Sequence, residues 1–338
     1  MPKKIAFLPL ILILFTFCNS DPALETFPEL NGPYLGQSLP DSLPVLFAPS
    51  VMGTGMFTRD IAISPDGDEL YYCISVGNYT YSTILFSKKE QGSWSKPAVA
   101  PFSADARILD LEPAFSPDGN RLYFLSTRSD GTEEAGDQDI WYVERNDEGW
   151  SEAINPGEPL NSDGGEFFPS LTKDGYLYFT RVSQGSSVNE IYRSKQSGES
   201  FSEPELLPGE VNCGTNRFNA FVSPDHRYII LAALGMKDAY DGIDYYIIFR
   251  NESDQWSEAI NMGEAVNKGN TRGWSPYVSA DGEYFFFMAN FSKEISSAEL
   301  SYELLQKLHT SPGNGNPSIY WMKADFIDDL RKQAVFQN

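Results

Sequence analysis

The sequence predicts an all-β fold, a five-bladed β-propeller of four-stranded antiparallel blades that is closed by an N-terminal strand. A four-residue turn mark of the type Ser-Pro-Asp-Gly recurs five times, with steps of 52, 56, 51 and 56 residues, which is the period of one small sheet per repeat. Each mark leads into a short aromatic strand, and 14% of the residues are aromatic, which suits many short buried strands. The aspartates of the marks are Asp66, Asp118, Asp174, Asp225 and Asp281.

The second repeat illustrates how one blade is built. Residues 113–115 form a short strand, and the turn at 116–119 uses Pro, Asp and Gly, each of which favours a tight turn. Residues 121–126 then form the return strand, and residues 139–144 form a third strand after a polar loop. A second turn at 146–149 leads into a fourth strand at 150–155, so the repeat reads as four antiparallel strands.

Two further marks recur in the same phase. An aromatic residue followed by Ser begins the fourth strand of four repeats, and a Gly-Glu pair with a later Asn follows it in three of them. The agreement of three marks in one phase indicates a true structural repeat. The aromatic residues are Trp94, Trp150, Phe201 and Trp256, and the asparagines are Asn161, Asn212 and Asn267.

The two ends of the repeat array predict how the ring closes. The fifth repeat has no aromatic-Ser mark, whereas residues 44–49 precede the first mark and read as a fourth strand. We therefore expect the N-terminal strand to complete the last blade, because closure removes exposed sheet edges. Six blades remain the alternative if the N-terminal segment builds more than one strand. The propeller is predicted over residues 45–325, and its fifth repeat contains a helical insertion at 297–308. A terminal helix is predicted at 324–335, and residues 326–338 are assigned to this helix and the C-terminal tail.

The first 18 residues read as an export signal. Lys3 and Lys4 precede an apolar stretch at 5–17, which is too short to span a bilayer, and Cys18 follows directly. The segment resembles a bacterial lipoprotein signal in which Cys18 becomes lipidated, with ordinary secretion and an uncleaved anchor as alternatives. Residues 19–44 are rich in proline and are predicted to be a tether, so the expected location is the periplasm or outer membrane, with a lipid anchor.

Charge and composition exclude several functions. The net charge of −22 repels phosphate backbones, so nucleic acid is not an expected partner. Histidine is scarce, with His226 in a turn and His309 in the insertion, which argues against a Ser-His-Asp triad or a His-ligated zinc site. No glycine-rich phosphate loop is present, and the acidic loops at 130–139 and 238–244 match no calcium-loop spacing, so no cofactor or metal is expected.

A family resemblance supports this reading. The segment at 113–124, the Asp-Ile-Trp-Tyr segment at 139–142 and the run at 150–161 resemble the TolB-type, WD-repeat-like β-propeller repeats of bacterial envelope proteins. The likeness covers about residues 45–325, and Lys173 and His226 depart from the turn pattern. It implies a propeller fold and the binding of proteins or peptidoglycan-associated lipoproteins. The chain is expected to act as a monomer.

The candidate site lies where the loops of all blades converge on the propeller axis. Positions shortly before each turn mark differ in residue type between repeats, unlike the scaffold positions. A ring of carboxylates, arginines and a tryptophan suits a polar ligand, although a channel lined by mutually paired charges has the same pattern. The candidate ligand-binding residues are Arg59, Asp60, Asp110, Glu112, Glu166, Arg217, Asn219, Arg272 and Trp274.

These observations leave two hypotheses about function. The first is a non-catalytic envelope propeller that binds a protein or a cell-wall or glycan component through its axial face. The second is a glycan-active hydrolase, which needs two acids at a defined separation across a sugar, and its candidates are Asp60, Glu112 and Glu166.

Overall fold

The computed structural model describes residues 27–129, 136–295 and 299–337. The predicted export signal, Cys18, residues 19–26 of the predicted tether and residues 130–135 of the first acidic loop lie outside the described residues. The remaining chain forms five separate antiparallel sheets, one for each turn mark.

The strands of the first three blades follow the repeat marks in order. The strand β1 (Val45–Leu46) precedes the first blade, whose strands are β2 (Phe57–Ile63), β3 (Glu69–Val76), β4 (Tyr81–Glu90), β5 (Ser93–Trp94) and β6 (Ala98–Val99). The second blade contains β7 (Asp110–Phe115), β8 (Arg121–Ser126), β9 (Asp139–Asn146) and β10 (Gly149–Trp150). The third contains β11 (Gly165–Leu171), β12 (Tyr176–Val182), β13 (Asn189–Ser197), β14 (Ser200–Phe201) and β15 (Glu205–Leu206).

The last two blades repeat the same plan. The fourth blade contains β16 (Asn216–Val222), β17 (Tyr228–Leu234), β18 (Ile243–Phe249) and β19 (Ile260–Asn261). The fifth contains β20 (Tyr277–Val278), β21 (Tyr284–Ala289) and β22 (Ser318–Lys323). Two short 3-10 turns lie at Tyr34–Gly36 and Pro101–Ser103.

The N-terminal strand completes the fifth blade, as the sequence predicts. β1 pairs with β22 in antiparallel register, with Val45 opposite Trp321, and the sheet order is β1, β22, β21, β20. The pairing continues beyond β1, because the backbone N–H of Phe47 donates to the carbonyl of Ile319 at 2.9 Å. The prediction of a five-bladed propeller closed by an N-terminal strand is therefore confirmed.

The core lies between the blades. One cluster joins Tyr71 and Ile84 of the first blade to Leu122 and Trp141 of the second. Another joins Phe47, Phe286 and Trp321 around the closing strand and extends to the first blade. Burying one face of each sheet against the next blade couples the blades into one ring.

The fourth strand differs from its prediction because it is interrupted in each of the first four blades. The hydroxyl of the Ser in the aromatic-Ser mark takes the place of a backbone carbonyl and accepts one hydrogen bond from the third strand. Ser151 accepts from the backbone N–H of Glu144 at 3.0 Å through Oγ, while its own N–H donates to the Glu144 carbonyl at 2.8 Å. The same arrangement occurs at Ser95, Ser202 and Ser257. A side chain thus takes a backbone role, which breaks the strand locally.

The recurring asparagines pair with the third strand of each blade. Asn267 accepts from the N–H of Tyr245 at 2.8 Å and donates to the carbonyl of the same residue at 3.1 Å. Asn161 does the same with Ile140, and Asn212 with Ile191. The amide side chain therefore continues the sheet where the backbone has turned away.

The predicted tether packs against the ring where the structure describes it. Leu35 is buried, and the ring of Tyr34 lies 5.2 Å from the rings of both Tyr284 and Trp321. The carbonyl of Gly32 accepts from Trp94 Nε1 at 2.8 Å. The segment that precedes β1 therefore contacts the first and fifth blades, because its two apolar side chains fit the seam between them.

Three α-helices occur in the described residues. They are α1 (Glu264–Asn267), α2 (Tyr302–His309) in the insertion of the last blade and α3 (Phe326–Arg331). The C-terminal helix is shorter than predicted, and the tail beyond it returns to the fourth blade, where Phe336 bridges to Ser257. Among the described segments, no helix is both long and apolar enough to cross a membrane.

Candidate functional site

In each of the first four blades, one residue of the innermost strand lies at a backbone irregularity on the propeller axis. The strand shifts register around the residue six positions before the turn aspartate, and each of these four residues has a left-handed φ. The angles are 53° at Asp60, 60° at Glu112, 53° at Phe168 and 55° at Asn219, and Ser275 holds the corresponding position in the last blade. Such a bulge turns its side chain out of the normal alternation and bends the strand.

The guanidinium of Arg59 forms ion pairs with both axial carboxylates. Nε of Arg59 donates to Oδ2 of Asp60 at 2.8 Å, and Nη2 donates to Oε1 of Glu112 at 2.5 Å. Nη1 donates to the Tyr79 hydroxyl at 2.9 Å. The two carboxylates therefore share one cation that lies between the first and second blades.

Hydrogen bonds join the axial residues of all five blades into what we call the axial plug, Asp60, Glu112, Phe168, Asn219 and Ser275. Oδ2 of Asp60 accepts from the N–H of Glu112 at 3.2 Å, and Oε2 of Glu112 accepts from the N–H of Phe168 at 2.7 Å. Nδ2 of Asn219 donates to Glu112 at 3.3 Å, and the Ser275 hydroxyl donates to Asp60. The plug divides the axial space into two pockets.

Burial dominates the electrostatics of the plug. Asp60 is 3% exposed and Glu112 is 5% exposed. Burial raises the pKa of Glu112 to about 7, since the favourable effect of Arg59 only partly offsets it and the charge of Asp60 adds to it. Burial lowers the pKa of Arg59, but the two carboxylates raise it more, so that it lies well above its ordinary value. The guanidinium therefore stays charged.

One pocket lies at the N-terminal ends of the innermost strands, and we call it the mouth pocket. Its volume is about 460 Å³. Aromatic rings and leucines form much of its wall, and the residue directly before each plug position contributes to it. These five residues are Arg59, Leu111, Phe167, Phe218 and Trp274. Trp274 packs edge-on against Phe218 at 6.4 Å between ring centroids, and the Arg59 guanidinium lies 6.0 Å from the Trp274 ring.

The pocket on the other side of the plug is narrower, at about 130 Å³. It is lined by apolar strand residues and by the second residue of each turn mark. Those turn residues are Pro65, Pro117, Lys173, Pro224 and Ala280. Their convergence shows that the turn marks surround the axis on this face.

Three of the predicted site residues are held away from the axis by other partners. Asp110 pairs with Arg128 at 2.9 Å, and Glu166 pairs with Arg181 at 2.7 Å. Arg217 donates to three backbone carbonyls, the closest at 2.8 Å. Each lies one residue before the pair of positions that reaches the axis. The two carboxylates point back into their own blades, whereas Arg217 also donates to a carbonyl of the third blade. The structure does not bring these three residues to the mouth pocket.

Other predicted residues do meet at the axis. Arg59, Asp60, Glu112 and Asn219 form or contact the plug, and Trp274 lines the mouth pocket. Arg272 lies at the rim, where its guanidinium is 6.0 Å from the ring of Phe57 and 5.9 Å from that of Trp274.

Sequence reasoning missed several lining residues. Phe167, Phe168, Phe218 and Ser275 lie at fixed offsets from the turn aspartates, so counting six and seven positions back from each mark identifies them. Tyr79, Gln138 and Asn189 come from loops between strands, where no repeat mark fixes the offset.

The three carboxylates predicted for a hydrolase are not assembled. Asp60 and Glu112 share Arg59, whereas Glu166 accepts from Ser162 Oγ at 2.5 Å and from Arg181 within the third blade. Glu166 is also completely buried.

No family model matches the chain, and no curated protein matches it. Solved structures do resemble it. The protein of a solved RGII complex is 9% identical, with a TM-score of 0.51, and the match covers 87% of this chain and 92% of that one. The catalytic domain of the GH62 α-L-arabinofuranosidase from Coprinopsis cinerea is 9% identical, with a TM-score of 0.47, and 84% and 94% of the two chains are covered.

TolB from Acinetobacter baumannii is 14% identical, with a TM-score of 0.47, and the match covers 80% of this chain. This chain spans 57% of the length of that TolB chain. The RGII complex protein has the same overall fold at very low identity, and this similarity concerns the fold alone.

Proposed function

We propose that this chain is a non-catalytic β-propeller of the bacterial cell envelope that binds a protein or cell-wall component through its axial mouth. One observation carries the proposal. Arg59 bonds to both axial carboxylates, so the mouth pocket presents aromatic rings and uncharged polar groups instead of a reactive acid pair. Such a wall, mostly apolar with a few polar groups, is typical of a binding pocket.

The geometry gives little support to hydrolysis. Glycoside hydrolysis commonly uses one protonated acid and one free carboxylate on opposite sides of the scissile bond. Here Asp60 and Glu112 are both buried and share one guanidinium, and Glu112 also accepts from the N–H of Phe168. A sugar would have to displace these bonds before either group could react.

The location is part of the same proposal. The positive start, the apolar stretch at 5–17 and Cys18 support export and lipid anchoring, and the TolB-type repeat marks support a role in the envelope. In this proposal the lipid on Cys18 is the chain's only membrane attachment, and the partner binds at the propeller mouth. The net charge of −22 argues against nucleic acid as the partner.

The experiment is capture from an envelope extract. The immobilised wild-type chain should retain an envelope protein or cell-wall fragment, and Trp274→Ala should retain at least about tenfold less, because the ring forms the pocket wall. Tyr302→Ala is the matched control, since this aromatic side chain is 71% exposed on helix α2 and does not line the mouth pocket. Equal capture by wild type and Trp274→Ala, or no capture by the folded wild type, contradicts the proposal.

The same extract tests the hydrolase reading. Incubation with envelope glycans should release no new reducing ends. Release that is lost in Glu112→Gln but retained in Tyr302→Ala would contradict the non-catalytic assignment.

A further inference from the structure

We propose that the mouth pocket binds an uncharged saccharide unit. This inference rests on the proposed function, because it names the chemical class that the same mouth receives. It depends on three properties of the pocket wall: its aromatic rings, its free polar groups and its internally neutralised charges.

Aromatic rings occupy several sides of the pocket. Phe167, Phe218 and Trp274 come from three consecutive blades, and Tyr79 comes from the first. The three blade residues and Tyr79 are all partly exposed, so their rings are available to a ligand. The C–H faces of a sugar ring pack against such surfaces, and a flat apolar face buried there contributes hydrophobic stabilisation.

The free polar groups of the wall are mostly amides. Within the described residues, the side chains of Gln138 and Asn189 line the pocket and make no hydrogen bond. Oδ1 of Asn219 and Nε1 of Trp274 are buried and also have no partner among those residues. Amides both donate and accept, and so do hydroxyl groups, so a polyhydroxylated ligand can satisfy this set.

The charges of the wall are already satisfied. Arg59 and Glu112 are the two charged residues that line the pocket in the described part of the chain, and they bond to each other at 2.5 Å. An anionic or cationic ligand would therefore have to break this buried pair, whereas an uncharged one would leave it intact. Arg272 lies outside this wall and lines a neighbouring cavity with Phe57.

The pocket size fits this class of ligand. A volume of about 460 Å³ lies within the range of small-ligand sites, which runs from about 300 to 1,000 Å³. The plug closes its inner end, so a chain cannot thread through the axis. We therefore expect an end or a branch of a glycan to enter the pocket.

The test measures binding of defined oligosaccharides to the full-length chain by calorimetry. The probes are trisaccharides of glucose, galactose, mannose and N-acetylglucosamine, a trisaccharide of galacturonic acid, and alanine and phenylalanine tripeptides. At least one neutral trisaccharide should bind, and the galacturonic acid trisaccharide and the tripeptides should bind at least about tenfold more weakly.

Variants locate the binding. The double variant Gln138→Ala, Asn189→Ala should weaken neutral-sugar binding about tenfold or more, and it removes two side chains that no other described residue needs. Trp274→Phe should bind more tightly than Trp274→Ala, because it keeps a ring. Tyr302→Ala should bind like the wild type, and thermal unfolding of each variant identifies any loss of fold.

The outcomes separate this inference from the proposed function. If Trp274→Ala loses its envelope partner but no neutral trisaccharide binds or competes, the saccharide inference is wrong and the binding function stands. Tighter binding of the galacturonic acid trisaccharide that disappears in Arg272→Gln also overturns the inference, and so does preferred binding of a tripeptide. If the extract yields no partner at all, the proposed function itself fails.

Discussion

Glu112 combines a left-handed backbone angle of 60° with a buried carboxylate, and both follow from its place at a bulge on the axis. Such a backbone costs about 1–3 kcal/mol for a residue other than glycine, so the surrounding contacts must hold it. The Arg59 guanidinium and the Phe168 N–H supply those contacts. At the residue scale, a strained backbone and a buried charge therefore coincide at the plug.

A pH prediction follows from the raised pKa of Glu112. Because the folded chain holds this proton more tightly than the unfolded chain, the stability contributed by Glu112 is fully present at low pH and is lost as pH rises from about 4.5 to about 7. Relative to Glu112→Gln, the wild-type free energy of unfolding should fall by about 3 kcal/mol between pH 4 and pH 8.

Urea denaturation at several pH values measures this difference. Glu283→Gln, at an exposed turn position, controls for the loss of one charge. Parallel curves for wild type and Glu112→Gln, or a wild-type curve that rises relative to the variant, would contradict the prediction.

The sequence could predict part of this site. Turn marks fix offsets along each strand, which identified Arg59, Asp60 and Glu112 near the axis. The bulge has no recurrent residue type, since Asp, Glu, Phe and Asn occupy it in the first four blades, so the pattern could not show which neighbouring positions face the axis. For that reason Asp110 and Glu166 were expected at the mouth, although each pairs with an arginine of its own blade.

At the scale of the element, the recurrent Ser and Asn residues are substitutes for backbone pairing. The sequence identified them as marks but could not show their role, because their partners are backbone atoms about 7 and 21 residues earlier in the chain. Strand four was accordingly expected to be continuous. The hydroxyl of Ser151 instead bonds to Glu144 and interrupts it.

Removal of one such amide should destabilise its blade. Asn267→Ala leaves the buried N–H of Tyr245 without a partner, whereas the Tyr245 carbonyl still accepts from the N–H of Met262 at 3.0 Å. Because one unpaired buried group costs about 1–3 kcal/mol, the free energy of unfolding should fall by about 2 kcal/mol in urea denaturation. Gln333→Ala, an exposed amide on the C-terminal tail, should stay within about 0.5 kcal/mol of the wild type. Similar values for both variants would show that the amide does not take a backbone role.

At the scale of the whole molecule, ring closure determines where every site residue lies. The plug joins residues that are up to 215 positions apart, such as Asp60 and Ser275, and they meet only if the first and last blades are neighbours. The sequence predicted this closure because the last repeat lacks a fourth strand and residues 44–49 supply one. It could not predict that residues before β1 also pack into the seam, since they show no periodic pattern.

Closure can be measured directly by a disulfide cross-link. Leu46 and Tyr320 are opposite each other in β1 and β22, at a position that does not exchange backbone hydrogen bonds, so cysteines there have a suitable separation. In a chain carrying Cys213→Ser, the pair Leu46→Cys, Tyr320→Cys should form an intramolecular disulfide under native conditions, detected by mass spectrometry. The pair Leu46→Cys, Tyr192→Cys, which would require contact with the third blade, should not form one. Equal cross-linking of both pairs, or none with Tyr320→Cys in the folded chain, would contradict the closed five-bladed ring.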